Sequence, residues 1–165
     1  MAVRMELSRI FIRELSDMQI IELSEVEGER TFPIVIGLPE AFAIERRLKG
    51  TEVVRPQTHD LLASVIRGLG GRLTSIEIHE LSEGTFYANL HVDQNGNDVV
   101  IDSRPSDAIA LGVAEKVPIY VAENVLTQAA VEAGSANAAA DEGPEFGSSA
   151  IEFDEGEDDE EEDTW

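Results

Sequence analysis

Two short polar strings carry the residue types from which a site could be built. The first is Arg55-Pro56-Gln57-Thr58-His59-Asp60-Leu61 and the second Asp102-Ser103-Arg104-Pro105-Ser106-Asp107. Asp60, Asp102 and Asp107 are oxygen donors of the kind that Mg²⁺ or Mn²⁺ takes. His59 is the side chain suited to moving a proton near neutral pH. Arg55 and Arg104 present planar forks that grip phosphate or carboxylate through two hydrogen bonds. Thr58 and Ser106 stand where a helix begins, so hydroxyls and free backbone N–H groups can join in holding an anion. Residue types alone favour the plainer reading, a capped helix start in each string, because structural ion pairs imitate sites. No spacing settles the matter: there is no His-x-x-x-His pair and no phosphate-binding glycine loop, and Gly68-Leu69-Gly70-Gly71 closes a helix instead of opening one.

The elements on either side explain how such strings are positioned. Pro105 fits the first turn of a helix, Ser103 or Ser106 can cap it, and Asp107 meets the positive end of its dipole. Ala108, Ile109, Ala110, Leu111, Val113 and Ala114 leave that helix almost no polar face, so it is expected to be buried. Thr58 is the expected N-cap of a helix reaching Leu69, whose apolar stripe is Leu61, Leu62, Val65, Ile66 and Leu69. An earlier helix is expected over 38–49, with Pro39 in its first turn and Arg46, Arg47 and Lys49 at its end; these three form the densest basic run, suited to drawing in a phosphate backbone.

Alternation predicts strands over 3–15 (with a bulge near Ser8-Arg9), 19–26 and 30–36, an antiparallel meander. Further strands are expected over 72–81, 85–92 and 99–101, with Asn95-Gly96 turning between the last two. Val117–Val121 is a strand that Pro118 places at an edge or starts, and 123–132 is a last helix. The fold class is therefore α+β: a mostly antiparallel, partly mixed sheet with three to four helices, one domain over 1–132. Residues 133–165 are expected to be a disordered Ala/Gly/Ser-rich and acidic tail, since 154–163 hold nine acids in ten positions.

Charge and composition bound the function classes. The chain has 34 acidic and 12 basic residues, but 13 of the acids lie in 141–165 and no Lys or Arg follows Lys116. The body is only moderately acidic, which argues against strong nonspecific nucleic-acid binding and leaves room for a local basic site. Absence of cysteine removes thiolate metal sites, disulfides and thiol nucleophiles. The start of the chain lacks a signal-peptide pattern and no segment reads as membrane-spanning, so a cytoplasmic protein is expected, with no membrane partner.

The two strings, with Phe32-Pro33-Ile34-Val35-Ile36-Gly37 before them and Val117-Pro118-Ile119-Tyr120-Val121 after, resemble the bifunctional nuclease domain family over about residues 5–126. Ser103 and Gly112 stand where that family commonly has alanine. The resemblance implies an α+β domain, often homo-oligomeric, credited in some members with degrading both DNA and RNA. It offers the matched polar positions as candidates: His59, Asp60, Asp102 and Asp107 for catalysis, the three carboxylates for a Mg²⁺ or Mn²⁺ ion, and Arg55, Thr58, Arg104, Ser106, Arg46, Arg47 and Lys49 for substrate. Under this reading the chain hydrolyses phosphodiester bonds of DNA or RNA with little sequence preference. The alternative is a non-catalytic regulatory or interaction module whose polar turns are structural and whose acidic tail contacts a basic protein partner. If the first holds, Arg55, His59, Asp60, Arg104 and Asp107 should line one concavity.

Overall fold

Alternation of burial makes most of the strands one-sided. In β3 (Thr31–Gly37), Phe32, Ile34 and Ile36 point inward while Thr31, Pro33 and Val35 face solvent. The same pattern runs through β2 (Met18–Glu25) and β5 (Thr85–Gln94), and in β1 (Ala2–Phe11) and β4 (Gly71–Ser82) it changes parity where the register shifts. The computed structural model describes residues 1–13, 15–139 and 150–152, with backbone alone for 132–139 and 150–152. The acidic run 154–163, with its expected partner, lies outside the described residues.

With β6 (Asn97–Ser103) and β7 (Ile119–Ala122), the strands form one sheet in the order β3-β2-β1-β7-β4-β5-β6. Neighbours are antiparallel except β4 and β7. A short β8 (Ala150–Glu152) pairs with Arg9–Phe11 of β1, beyond the end of β7. The expected bulge is present: pairing jumps from Leu7–Leu23 to Arg9–Glu22, and the Ser8 hydroxyl donates to the Glu22 carbonyl at 3.1 Å. At the β5–β6 hairpin both turn residues take positive φ, Asn95 at 55° and Gly96 at 83°, the geometry that matches strand twist. Pro118 does not put β7 at an edge. It precedes the first strand residue, its carbonyl accepts from Ile76 N–H, and β7 lies between β1 and β4.

The sheet curls until the rings of Phe32 on β3 and Phe86 on β5 stand 5.7 Å apart, and the helices fill its inner face. They are α1 (Leu38–Leu48), α2 (Thr58–Gly68), α3 (Pro105–Gly112) and α4 (Glu123–Ala139). Ala108, Ile109, Ala110 and Leu111 of α3 are buried, as their lack of a polar face requires. Two caps differ from expectation by one residue. Pro105 takes the first helical position, so the cap is Arg104, held in extended backbone as a residue before proline must be. Ser103 lies outside the helix and donates its hydroxyl to the Arg104 carbonyl, and Ser106 is buried inside the first turn. In α2 the cap is Gln57, because Asp60 three residues on accepts the Gln57 N–H at 3.0 Å. Helix α4 runs seven residues past the expected end at 132, through an Ala-rich stretch with high helix propensity. No described helix is long and apolar enough to cross a membrane.

One cluster on the outer face of the sheet titrates. His91 on β5 lies between Asp98 of β6, 2.9 Å from Nδ1, and Glu77 of β4, 3.3 Å from Nε2. Hydrogen bonding to Asp98 raises the His91 pKa above its ordinary 6.5; burial opposes, and Glu77 reinforces the rise. The contribution to stability is therefore full below pH 6.5 and lost as pH climbs through the folded value. His91→Gln is expected to lower the melting temperature at pH 5.5 by about 3 °C and to change it little at pH 9, read by thermal melts at the two pH values.

Candidate active site

Three helices start at one place. Glu40 stands in the first turn of α1, His59 in that of α2 and Asp107 in that of α3. Arg104, the α3 cap, joins them: its Nε donates to Asp107 Oδ2 at 2.7 Å and its Nη1 to Glu40 Oε1 at 3.0 Å. His59 Nε2 lies 3.0 Å from Asp107 Oδ1. Four side chains from three elements thus form one chain of contacts, Glu40–Arg104–Asp107–His59. His59 is nearly buried, Asp107 about a third exposed and Arg104 two-thirds exposed, so the cluster is enclosed at the histidine and open at the arginine.

Electrostatics define the protonation state. Burial pushes the Asp107 carboxyl up, but hydrogen bonds from Arg104 and His59 together with the Arg104 charge outweigh it and hold the pKa below 3.8. Hydrogen bonding and charge from Asp107, aided by Glu40, raise Arg104 further above its already high value. An ionised Asp107 can only accept, so the hydrogen of this contact belongs to His59 Nε2, and a neutral ring then keeps its lone pair on Nδ1. That is the tautomer of a general base oriented by a carboxylate.

Asp60, next to His59 in sequence, points the other way. One carboxylate oxygen accepts from Arg46 at 2.9 Å and from its own cap, and the other accepts from Arg47. Burial raises the Asp60 pKa, and the Gln57 N–H and the two arginines bring it below 3.8. Arg47 is buried and also donates to the carbonyls of Ala110 (2.5 Å) and Leu111 (3.1 Å) near the end of α3. This basic run is therefore an internal tie between α1, α2 and α3. Of its three members, Arg47 is enclosed, Arg46 is mostly enclosed against Asp60, and Lys49 is exposed on Glu45 at 2.7 Å.

The remaining candidates make no side-chain hydrogen bond to this cluster among the described residues. Asp102 is exposed on β6 with no ion pair among the described residues, and Arg55, exposed ahead of α2, likewise has no hydrogen bond or ion pair there. Thr58 is exposed at the first position of α2, and Ser106 is buried at the second position of α3. The structure therefore joins His59, Arg104 and Asp107, and separates Asp60 and Asp102 from them. Glu40, which sequence reading passed over, belongs to the cluster. Its signal was present: Leu38-Pro39-Glu40 is a third proline-led helix start carrying an acid.

The donor set does not form a ready-made cage for Mg²⁺ or Mn²⁺. Both oxygens of Asp60 and of Asp107 are engaged by cations or hydrogen-bond donors, Asp102 stands apart on β6, and among the described residues no three His, Asp or Glu side chains group as a metal site.

Residues 21–134 match the family model of the bifunctional nuclease domain, well over half of the chain. The chain belongs to the bifunctional nuclease domain family. An uncharacterised protein of Mycobacterium tuberculosis, Rv1829, is 42% identical over 120 residues, covering 73% of this chain and 71% of that one. Bifunctional nuclease 1 of Oryza sativa subsp. japonica is 24% identical over 114 residues, 67% of this chain but only 34% of the rice protein. Bifunctional nuclease 2 of the same plant is 25% identical over a similar span. The stretch matched to the bifunctional nuclease domain contains all three helix starts and most of the sheet, so the Glu40–Arg104–Asp107–His59 chain lies wholly inside it.

Proposed function

We propose that this domain binds a nucleic-acid phosphodiester where α1, α2 and α3 start, and that His59, oriented by Asp107, takes the proton from the attacking water. The observation that carries the reading is the His59–Asp107–Arg104 chain of contacts in a member of a nuclease family. The scissile phosphate competes with Glu40 and Asp107 for the exposed guanidinium of Arg104, Arg55 supplies a second fork, and the helix dipoles favour the anion. Water oxygen then bonds to phosphorus, one P–O ester bond breaks, His59 receives the water proton and solvent protonates the departing oxygen. No step is assigned to a metal ion.

One observation favours the alternative, a non-catalytic interaction module: Arg104, Arg46 and Arg47 are already paired with carboxylates, and the body is net acidic. The two readings separate in a single assay. A fluorescent single-stranded oligonucleotide is titrated with the full chain at several salt concentrations, and cleavage is followed with and without Mg²⁺ or Mn²⁺. Arg104→Ala and Arg55→Ala, purified identically, are expected to bind about tenfold more weakly and to reduce the salt slope by about 1. Unchanged binding and equal trace cleavage in all preparations would establish the interaction-module reading.

A further inference from the structure

Helix α1 has two working faces. Glu40, Ile44 and Arg47 recur at helical spacing and face the core and α3. Pro39, Phe42, Arg46 and Lys49 form a second stripe, and it lines a groove of about 430 Å³ completed by Thr51 and Gln57 from the link to α2. Pro39 precedes Glu40 and Gln57 stands two residues before His59, so the groove begins beside the place where the helices start. Its volume is that of a site for one small group, roughly 300–1,000 Å³ being usual.

The lining combines three kinds of group. Phe42 is 47% exposed and its ring stacks on no other ring among the described residues. Thr51 and Gln57 are exposed, and the Thr51 hydroxyl has no hydrogen-bond partner among the described residues. Two cations, Arg46 and Lys49, stand against one carboxylate, Glu45, in a body that is otherwise acidic. The Lys49–Glu45 pair is exposed, so it is weak in water and open to displacement by a phosphate. Arg46 holds Asp60 through Nη2, and its enclosed Nε has no acceptor among the described residues, so an anion in the groove still gains from its charge. A flat ring, hydrogen-bonding groups at its edge and a cation beyond it are together what a nucleotide requires. An aliphatic acid would leave the hydroxyl and the amide unused, and a bare anion would leave the ring unused.

We infer that this groove is a subsite for one unpaired nucleotide of the strand whose phosphodiester is bound at the helix starts. Its base stacks on Phe42, Thr51 and Gln57 meet the base edge, and the next phosphate lies against Lys49. The inference rests on the function proposed above and gives that function a substrate class. Inside a duplex both faces of a base are covered by its neighbours, so only single strands and unpaired ends reach the Phe42 ring. Every base has a π-face, so stacking selects single strands without selecting a sequence.

The test measures binding of the full chain, without added metal, by fluorescence anisotropy. Its probes are a labelled single strand of deoxyadenosines, the same sugar-phosphate strand with every base removed, and a duplex of equal length. Phe42→Ala is expected to weaken binding of the intact single strand about tenfold with its salt slope unchanged, and to bind the abasic strand and the duplex as wild type does. Phe42→Trp, which keeps a ring, is expected to bind the single strand at least as tightly as wild type. Phe42 is half-exposed, so circular dichroism melts of both variants are expected to match wild type. Arg104→Ala, by contrast, is expected to weaken all three probes, because it removes a phosphate contact. If Arg104→Ala weakens the single strand and Phe42→Ala does not, or if Phe42→Ala weakens the abasic strand equally, the subsite is overturned and the phosphodiester reading stands. If only Phe42→Ala acts, and only on the intact single strand, the phosphodiester reading falls and the groove stands as a nucleotide site. Absence of binding to all three probes overturns both.

Discussion

If the proposed hydrolysis holds, His59→Ala and Asp107→Asn are each expected to lower the rate of single-strand cleavage by about a hundredfold or more, the scale of a lost general base or of its orienting partner. The two act through one contact of 3.0 Å, so the double variant is expected to be about as slow as either single one. Asparagine keeps the shape of Asp107 but loses the charge that holds the proton on His59 Nε2. It also keeps only one acceptor oxygen where Asp107 serves both His59 Nε2 and Arg104 Nε. Asp107 is ionised well below neutrality, held there by Arg104 and His59 against its burial, so its own titration leaves the rate unchanged between pH 6 and 8. Single-turnover rates of identically purified proteins check this; equal rates in wild type and both variants would remove His59 and Asp107 from the reaction.

Arg47→Met is the most damaging single change expected for stability. The guanidinium is buried and serves three partners: the Asp60 carboxylate and the carbonyls of Ala110 and Leu111. Methionine fills much of the volume but leaves both carbonyls without this donor, and Asp60 only Arg46 and its cap. Breaking a buried pair in this way costs about 3–5 kcal/mol. Urea unfolding at pH 7 measures the loss. Asp60 titrates below its ordinary 3.8 in the fold, so its share of the stability is complete above that value and disappears as pH falls through the folded one. The penalty of Arg47→Met therefore shrinks in acid. A loss under about 1 kcal/mol at pH 7 would show that the helices are held by apolar contacts alone.

The elements follow from local rules that each stretch of chain obeys. Alternation marked the strands, the Ser8-Arg9 parity change marked the bulge, Asn95-Gly96 marked the hairpin, and the unbroken apolar run after Asp107 marked the buried helix. Both polar strings were also legible as proline-led helix starts, although the exact caps, Gln57 and Arg104, followed from side-chain geometry three residues on and from the pre-proline backbone. Which side chains meet depends on how the helices pack. His59 and Asp60 are adjacent, yet a helix turns successive residues by about 100°, so one faces α3 and the other α1. The same rotation put Arg47 inside the fold and left Lys49 outside, dividing a basic run that looks uniform as a string. Glu40 joined the cluster because α1 and α3 begin at the same end of the curled sheet, a long-range packing result that no local pattern encodes.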